Sequence, residues 1–249
     1  MLTDQFFINV KQLFIDNVLK QNQDEVIKTK KWVFENGDAE VNVSRGNVFE
    51  KACVSAICTT LTLPGRDYQS KIQWLGIQTF PTNQHVPMFM GGFEHISERG
   101  EEHYPGYFDI YSFTPSTEDK EYVTGKIKLV TNKYDKSYQE LTDRYSRIFQ
   151  ARESTTGIGS GGGIAFDEEE TNFKFTRETE LSICETYFQI VEKKKYINNT
   201  PVQSEEIFNK KAALVRHIFM EDFFFKGGIT LGVPPECFML HLLPPLVKF

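Results

Sequence analysis

A carboxylate inside an aromatic strand is the residue in this sequence whose setting most invites chemistry. Asp109 lies in Tyr107-Phe-Asp-Ile-Tyr-Ser-Phe113, an otherwise strand-like run in which burial of the acid would demand a partner or raise its pKa. Functional and purely structural roles both fit it. Arg152 and Arg216 sit near the ends of helical patterns, where a guanidinium could grip a ligand carboxylate with two parallel bonds or simply lie on a charged surface. His95, Glu98, Glu101, Glu102, His103 and Asp109 supply imidazoles and carboxylates, but their spacing matches no strong metal signature. The glycines of Gly157-Ile-Gly159-Ser-Gly161-Gly162-Gly163 satisfy the loose dinucleotide pattern. They follow a helix-like segment and lead into the strand-like Ile164-Ala-Phe166, the reverse of the nucleotide-binding context, and no phosphate-loop lysine follows. A turn that lets backbone approach a ligand or a neighbouring strand, or a simple flexible turn, is the expectation.

These residues must be positioned by a mixture of strands and helices. Phe6, Val10, Leu13, Phe14 and Val18 recur at helical intervals and place an amphipathic helix in the N-terminal segment 1–26. Val41 and Val43 alternate with polar neighbours, and a β-branched run follows around Val54 and Ile57, which predicts a hairpin over 39–63. Strands are expected at 71–80, 86–96, 107–113 and 123–131, with connections too short for crossover helices and hence antiparallel pairing. Helices follow around Tyr138, Leu141, Tyr145 and Ile148, around Leu181 to Val191, and from a Ser204 cap through Ile218. The expected architecture is α+β: a single domain over residues 1–249 in which a large antiparallel sheet is flanked by helices.

With 40% hydrophobic and 14% aromatic residues among 249, the chain can bury one sizeable core. Its formal charge of -6 argues against a nucleic-acid partner, which needs a basic surface. Four cysteines, at 53, 58, 184 and 237, have neither a disulfide framework nor zinc spacing, so reduced thiols and a cytoplasmic location are expected. The first residues lack a signal-peptide run, and no stretch of 18 apolar residues could span a membrane.

Several motifs, in order, carry a family resemblance. Val48-Phe-Glu-Lys-Ala-Cys-Val-Ser55 resembles the "VFEKAG" signature of oxygen-dependent coproporphyrinogen III oxidases, with Cys53 at the usual glycine. Phe80-Pro-Thr-Asn-Gln-His-Val-Pro87 is similar to that family's "HPxNPxxP", and Asp109 with Glu118-Asp119 reproduces its "D…ED" spacing. Gly157-Ile-Gly159 with Phe166-Asp167 resembles "GIGG…FFD", Arg216 stands at the arginine of "RYVEFNL", and Leu243-Pro244-Pro245 resembles "LPP". The resemblance spans about residues 27–245. It implies a broad antiparallel sheet with helices on both faces, a homodimer, and conversion of coproporphyrinogen propionates to vinyl groups. Molecular oxygen would be the co-substrate, with no metal or organic cofactor.

The resemblance also implies a substrate site containing Asp109, which would bond pyrrole nitrogens, Arg152 and Arg216, which would engage propionates, and positions 90, 94 and 57. At these three the chain departs from the family: Met90 replaces the catalytic histidine, Glu94 an arginine, and Ile57 a common substrate-facing serine. A thioether cannot exchange a proton at neutral pH, and Glu94 would repel an anionic substrate. Thr155 and Thr156 stand at two further family arginines. Three functional readings follow: oxidative decarboxylation of coproporphyrinogen or a related tetrapyrrole, with His85 or His95 replacing the lost histidine; a diverged site for another apolar or heterocyclic ligand, walled by Met90, Phe93, Phe108 and Ile57; or a noncatalytic interaction protein whose site is filled by its own side chains.

Overall fold

In the computed structural model, which describes residues 2, 4–22, 27–63, 65–114, 116–167 and 173–245, one nine-stranded antiparallel sheet runs through the molecule with helices on both faces. Five strands form a meander: β1 (Lys28–Phe34), β2 (Gly37–Ser44), β3 (Phe49–Leu61), β4 (Ser70–Pro81) and β5 (Met88–Glu98). The short β6 (Glu101–His103) folds back on β5, which also pairs with β7 (Gly106–Ser112). The outer edge of β7 carries two small strands from one later segment, β8 (Gly159–Ser160) and β9 (Ile164–Phe166).

Period-two alternation divides the central strands between two cores. On the first face Val54, Leu75, Ile77, Phe89, Phe93, Phe108 and Ile110 pack against α1 (Gln5–Asn22), α2 (Thr117–Lys133) and α4 (Phe173–Lys194). On the second face Cys53, Ile57, Trp74, Met88, Met90, Tyr107 and Tyr111 pack against α3 (Tyr138–Thr156), α5 (Pro201–Met220), α6 (Phe223–Thr230) and α7 (Pro235–Leu242). Because both faces are buried, the strands read as near-continuous apolar runs rather than clean alternation.

The expected α+β sheet architecture is present, with corrections to its parts. Residues 123–131 are not a strand but belong to α2, where Val123, Ile127 and Val130 fall on one buried face four and three residues apart. Ser116 caps that helix by accepting from the Asp119 amide, and Glu118 and Asp119 occupy its positive first turn; these signals outweigh the β-branched content that suggests a strand. Ser204 is not a cap, since α5 already begins at Pro201, a residue whose missing N–H costs nothing in a first turn. In α3 the buried stripe is Leu141, Tyr145 and Phe149, while Ile148 faces solvent. The helices α6 and α7 and the edge strand β1 are elements that the sequence patterns do not announce. All four cysteines are free thiols. Among the described residues no helix is long and apolar enough to cross a membrane.

The second helical layer is fastened to the sheet by buried and half-buried cations. The Lys51 ammonium, 2% exposed, donates to the carbonyls of Leu240 (2.8 Å), His241 (3.3 Å) and Leu243, and so satisfies the open C-terminal turn of α7. Desolvation lowers its pKa to about 8. Lys210 of α5 donates to the Phe113 carbonyl at 2.5 Å, and Lys211 pairs with Glu50. Beside Lys51, the Ser55 hydroxyl meets His241 Nδ1 at 2.7 Å, and burial, with the Lys51 charge second, pushes the imidazole down to about 3, leaving it neutral.

Lys51→Met keeps the apolar stem but strands these carbonyls, and a loss of about 2–4 kcal/mol is expected in urea unfolding at pH 7. The folded-state pKa lies below the ordinary lysine value of 10.5. Between pH 8 and 10.5 the unfolded chain therefore binds more protons, and Lys51 makes stability rise with pH in that window. That contribution should be absent from the variant.

Candidate functional site

Asp109 is fixed by its neighbours. Phe108 and Ile110 belong to the first core, so the carboxyl between them is sent to the second face, where it is fully buried. Across the sheet it stands in one row with Cys53 on β3, Gln78 on β4 and Met90 on β5, each the register partner of the next. The glycine-rich turn completes the setting. A Cβ on Gly163 would lie 2.7 Å from the Phe108 carbonyl and 2.8 Å from Asp109 Cγ, and one on Gly161 would collide with the Ile110 carbonyl. Only glycine lets this backbone lie against β7, and the approach brings the Gly161 amide to Asp109 Oδ1 at 3.1 Å, beside the Ile110 amide at 2.7 Å. Of the two openings left by the sequence, the turn therefore serves a neighbouring strand.

The opposite oxygen, Asp109 Oδ2, is buried without a hydrogen-bond partner among the described residues. The Ser160 and Tyr145 hydroxyls and the two amides favour the charged form without closing on Oδ2, but desolvation is the largest influence and pushes the pKa up to about 6. The largest influences opposing desolvation are hydrogen bonds rather than a neighbouring charge. Two residues along the strand, on the same face, the Tyr111 hydroxyl hydrogen-bonds the Tyr145 hydroxyl from α3.

Between this face and its helical cover lies a cavity of about 20 Å³, lined by Gln78, Met88, Met90, Tyr111, Ile158, Leu214, Ile218 and Leu242. That is room for a single water, whereas sites for organic ligands span roughly 300–1,000 Å³. A larger ligand could enter only if α5 or α7 moved away from the sheet. Among the described residues no cationic side chain lines this space.

Met90 thus lines the cavity and faces Asp109 across the β5–β7 pair. Ile57 and Glu94 lie on the same face but in another row, joined through Trp74. Four residues along each strand separate the rows, roughly 13 Å, and neither side chain lines the cavity. Phe93 and Phe108 belong to the opposite core and form no wall with Met90. Arg216 projects into solvent from α5, away from the cavity lining; Arg152 falls in α3, its side chain outside the described residues. His95 stands on the first face against Asp4 and Glu102, and His85 in the 82–87 loop, so neither reaches the position of Met90. The described residues contain no cluster fit to hold a metal ion. Gln78, Tyr111 and Tyr145 carry no motif that singles them out in the sequence. Tyr111, two residues from Asp109 in one strand, is legible there as sharing its face; the meeting with Tyr145 is not.

No family model matches the chain. Over an alignment of 278 positions it is 23% identical to the oxygen-dependent coproporphyrinogen-III oxidase of Rickettsia akari (strain Hartford), covering 100% of the chain and 97% of that protein. Oxygen-dependent coproporphyrinogen-III oxidases of Rickettsia rickettsii, strains Sheila Smith and Iowa, are each 24% identical with the same coverage. Weak likeness sustained end to end supports a divergent relationship to this class of oxidase.

The Asp109 pKa has a consequence for stability. Its folded value, about 6, lies above its ordinary 3.8, so between those pH values the native state binds the extra proton. Its contribution lowers stability as pH rises through this window, by up to about 3 kcal/mol. Asp109→Asn should remove that loss, so that the gap between variant and wild type in denaturant midpoint widens from about pH 4 to 7. A constant gap would show that the carboxyl ionises without penalty.

Proposed function

We propose that this chain uses the second face of its sheet to bind a reduced tetrapyrrole or a related pyrrolic heterocycle, with Asp109 accepting pyrrole N–H bonds, and oxidises it with molecular oxygen without a metal or organic cofactor. The observation that carries this reading is the Asp109 carboxyl: buried, with one oxygen uncommitted, in a sequence whose full-length similarity is to enzymes named for coproporphyrinogen oxidation. A carboxylate with an open acceptor can hold an N–H donor in a site where water does not compete. The finer form of the proposal is oxidative decarboxylation of coproporphyrinogen III in porphyrin and heme biosynthesis by a cytoplasmic homodimer. The apolar lining favours a ligand with fewer carboxylates than coproporphyrinogen, because no cavity residue among those described could neutralise them.

One observation favours a second reading. The cavity is almost filled by Met88, Met90, Leu214, Ile218 and Leu242, the arrangement expected of a noncatalytic interaction protein that has packed its ancestral site.

The test is consumption of coproporphyrinogen III with simultaneous oxygen uptake, in air and under anaerobic conditions, for wild type, Asp109→Asn, Met90→His and Met90→His with Glu94→Arg. On the oxidase reading, wild-type turnover stops without oxygen and falls at least about 100-fold in Asp109→Asn while that variant remains folded. Undiminished anaerobic turnover would overturn oxygen dependence. Failure of folded wild type to bind coproporphyrinogen or its less carboxylated analogues would overturn the pyrrole site and favour the interaction protein.

A further inference from the structure

On the first face of the sheet, opposite the Asp109 carboxyl, a second opening lies between β7, α2 and the glycine turn. It is a pocket of about 440 Å³, within the roughly 300–1,000 Å³ that small organic ligands occupy. Its floor is apolar and fully buried, formed by Ile110 of β7 and Val123 of α2. Beside Ile110 the same period-two alternation sends Ser112 to this face. Ser112 is only 8% exposed, and its hydroxyl has no hydrogen-bond partner among the described residues. Buried hydroxyls are rarely left unpaired, so this one is open to whatever enters the pocket.

The groups around Ser112 are mostly donors. The helix α2 begins at this pocket, where Ser116 Oγ takes the Asp119 amide at 3.3 Å and the Ser116 carbonyl takes the Lys120 amide at 3.0 Å. The Thr117 and Glu118 amides, the first two of the helix, stay outside its hydrogen-bond ladder. Lys120 and Thr117 line the pocket, and neither side chain has a partner among the described residues. The acids of the first turn are turned to other uses: Lys194 holds Asp119 at 2.5 Å, and Glu118 lines a separate groove with Lys193 and Lys194. Glu121 is exposed at the rim, where water and salt screen its charge. Hydroxyls, open amides and an ammonium beside a helix N-terminus together call for an acceptor-rich anion.

We propose that this pocket binds a phosphate monoester, with its phosphoryl oxygens on the Ser112 and Thr117 hydroxyls, the first amides of α2 and the Lys120 ammonium. Its organic part lies over Ile110 and Val123. A carboxylate could reach the same donors but brings two oxygens to them, whereas a phosphoryl group brings three and a larger charge. The volume exceeds what inorganic phosphate would fill, which leaves room for the organic part. Gly161 also lines the pocket while its amide holds Asp109 Oδ1 at 3.1 Å. The bound ester would therefore stand behind the turn that supports Asp109. The two sites nevertheless lie on opposite faces of the sheet, and neither requires the other.

Phenyl phosphate, inorganic phosphate and benzoate are the probes, each titrated at low ionic strength into nitrogen-15-labelled full-length protein while amide resonances are followed. Phenyl phosphate should shift the Ser112, Thr117 and Gly161 amides saturably and bind more tightly than either of the others. Ser112→Ala should weaken it about 10-fold or more, and Lys120→Gln by about 3- to 10-fold, because each removes a hydrogen bond to a charged group. Lys126→Gln, on the same helix but outside the lining, should leave the affinity unchanged. Shifts that never saturate, wild-type affinity in Ser112→Ala, or equal losses in Lys120→Gln and Lys126→Gln would each overturn the site. Benzoate binding as tightly as phenyl phosphate would overturn the phosphate monoester as its ligand. Should Ser112→Ala fail to fold, the exposed Lys120→Gln decides, and wild-type affinity there overturns the site. No tetrapyrrole takes part, so this pocket can fail while pyrrole binding survives, and the reverse.

Discussion

A residue in the central strands of this sheet, which are covered on both faces, has two directions available, and both are dry. That constraint places the chemistry of this protein. Phe108 and Ile110 each gain about 1.5–3 kcal/mol by entering the first core, and together they outweigh the cost of holding Asp109 on the second face. Raising its pKa from 3.8 to about 6 corresponds to about 3 kcal/mol at neutral pH. The acid is therefore where its neighbours' hydrophobicity puts it, and its altered proton affinity follows from the same burial.

The rest of the site repairs that burial only in part. The turn at 159–163 contributes backbone in place of side chains: its glycines permit contact with β7, and the Gly161 amide joins the Ile110 amide on one carboxyl oxygen. Both bonds favour the carboxylate, yet desolvation still prevails. A guanidinium in this position would have held the acid ionised throughout the physiological range. Its place is taken by neutral hydroxyls, which tolerate either protonation state.

How much of this is legible in the sequence depends on the range of the interaction. The strand around Asp109, the helical stripes of α1, α3 and α4 and the antiparallel pairing are local patterns, and periodicity carries them. The stretch at 123–131 reads wrongly as a strand because its β-branched residues satisfy strand propensity, while the capping and acidic first turn that make it a helix begin several residues upstream. Tertiary packing decides the remainder. Motif alignment can set Met90, Glu94 and Ile57 together as site positions, but only the register shows that Met90 shares a row with Asp109 while the other two share one with Trp74. The helices that cover the cavity, and the Tyr111–Tyr145 contact across 34 residues, depend on how distant segments meet, which no spacing rule supplies.

The cavity and its cover raise separate questions of access and chemistry. Met88, Met90, Leu214, Ile218 and Leu242 give the narrow space a largely apolar lining, and apolar contacts are individually weak and tolerant of repacking, methionine above all. The strong fastenings lie outside the lining, where Lys51 grips the end of α7 and Lys210 and Lys211 hold α5 against Phe113 and Glu50. Breaking the buried Lys51 or Lys211 contacts would leave a cation or carbonyls desolvated and unpaired, at a cost of several kcal/mol. An opening that keeps them intact must pivot the helices about the cations and part the apolar lining between.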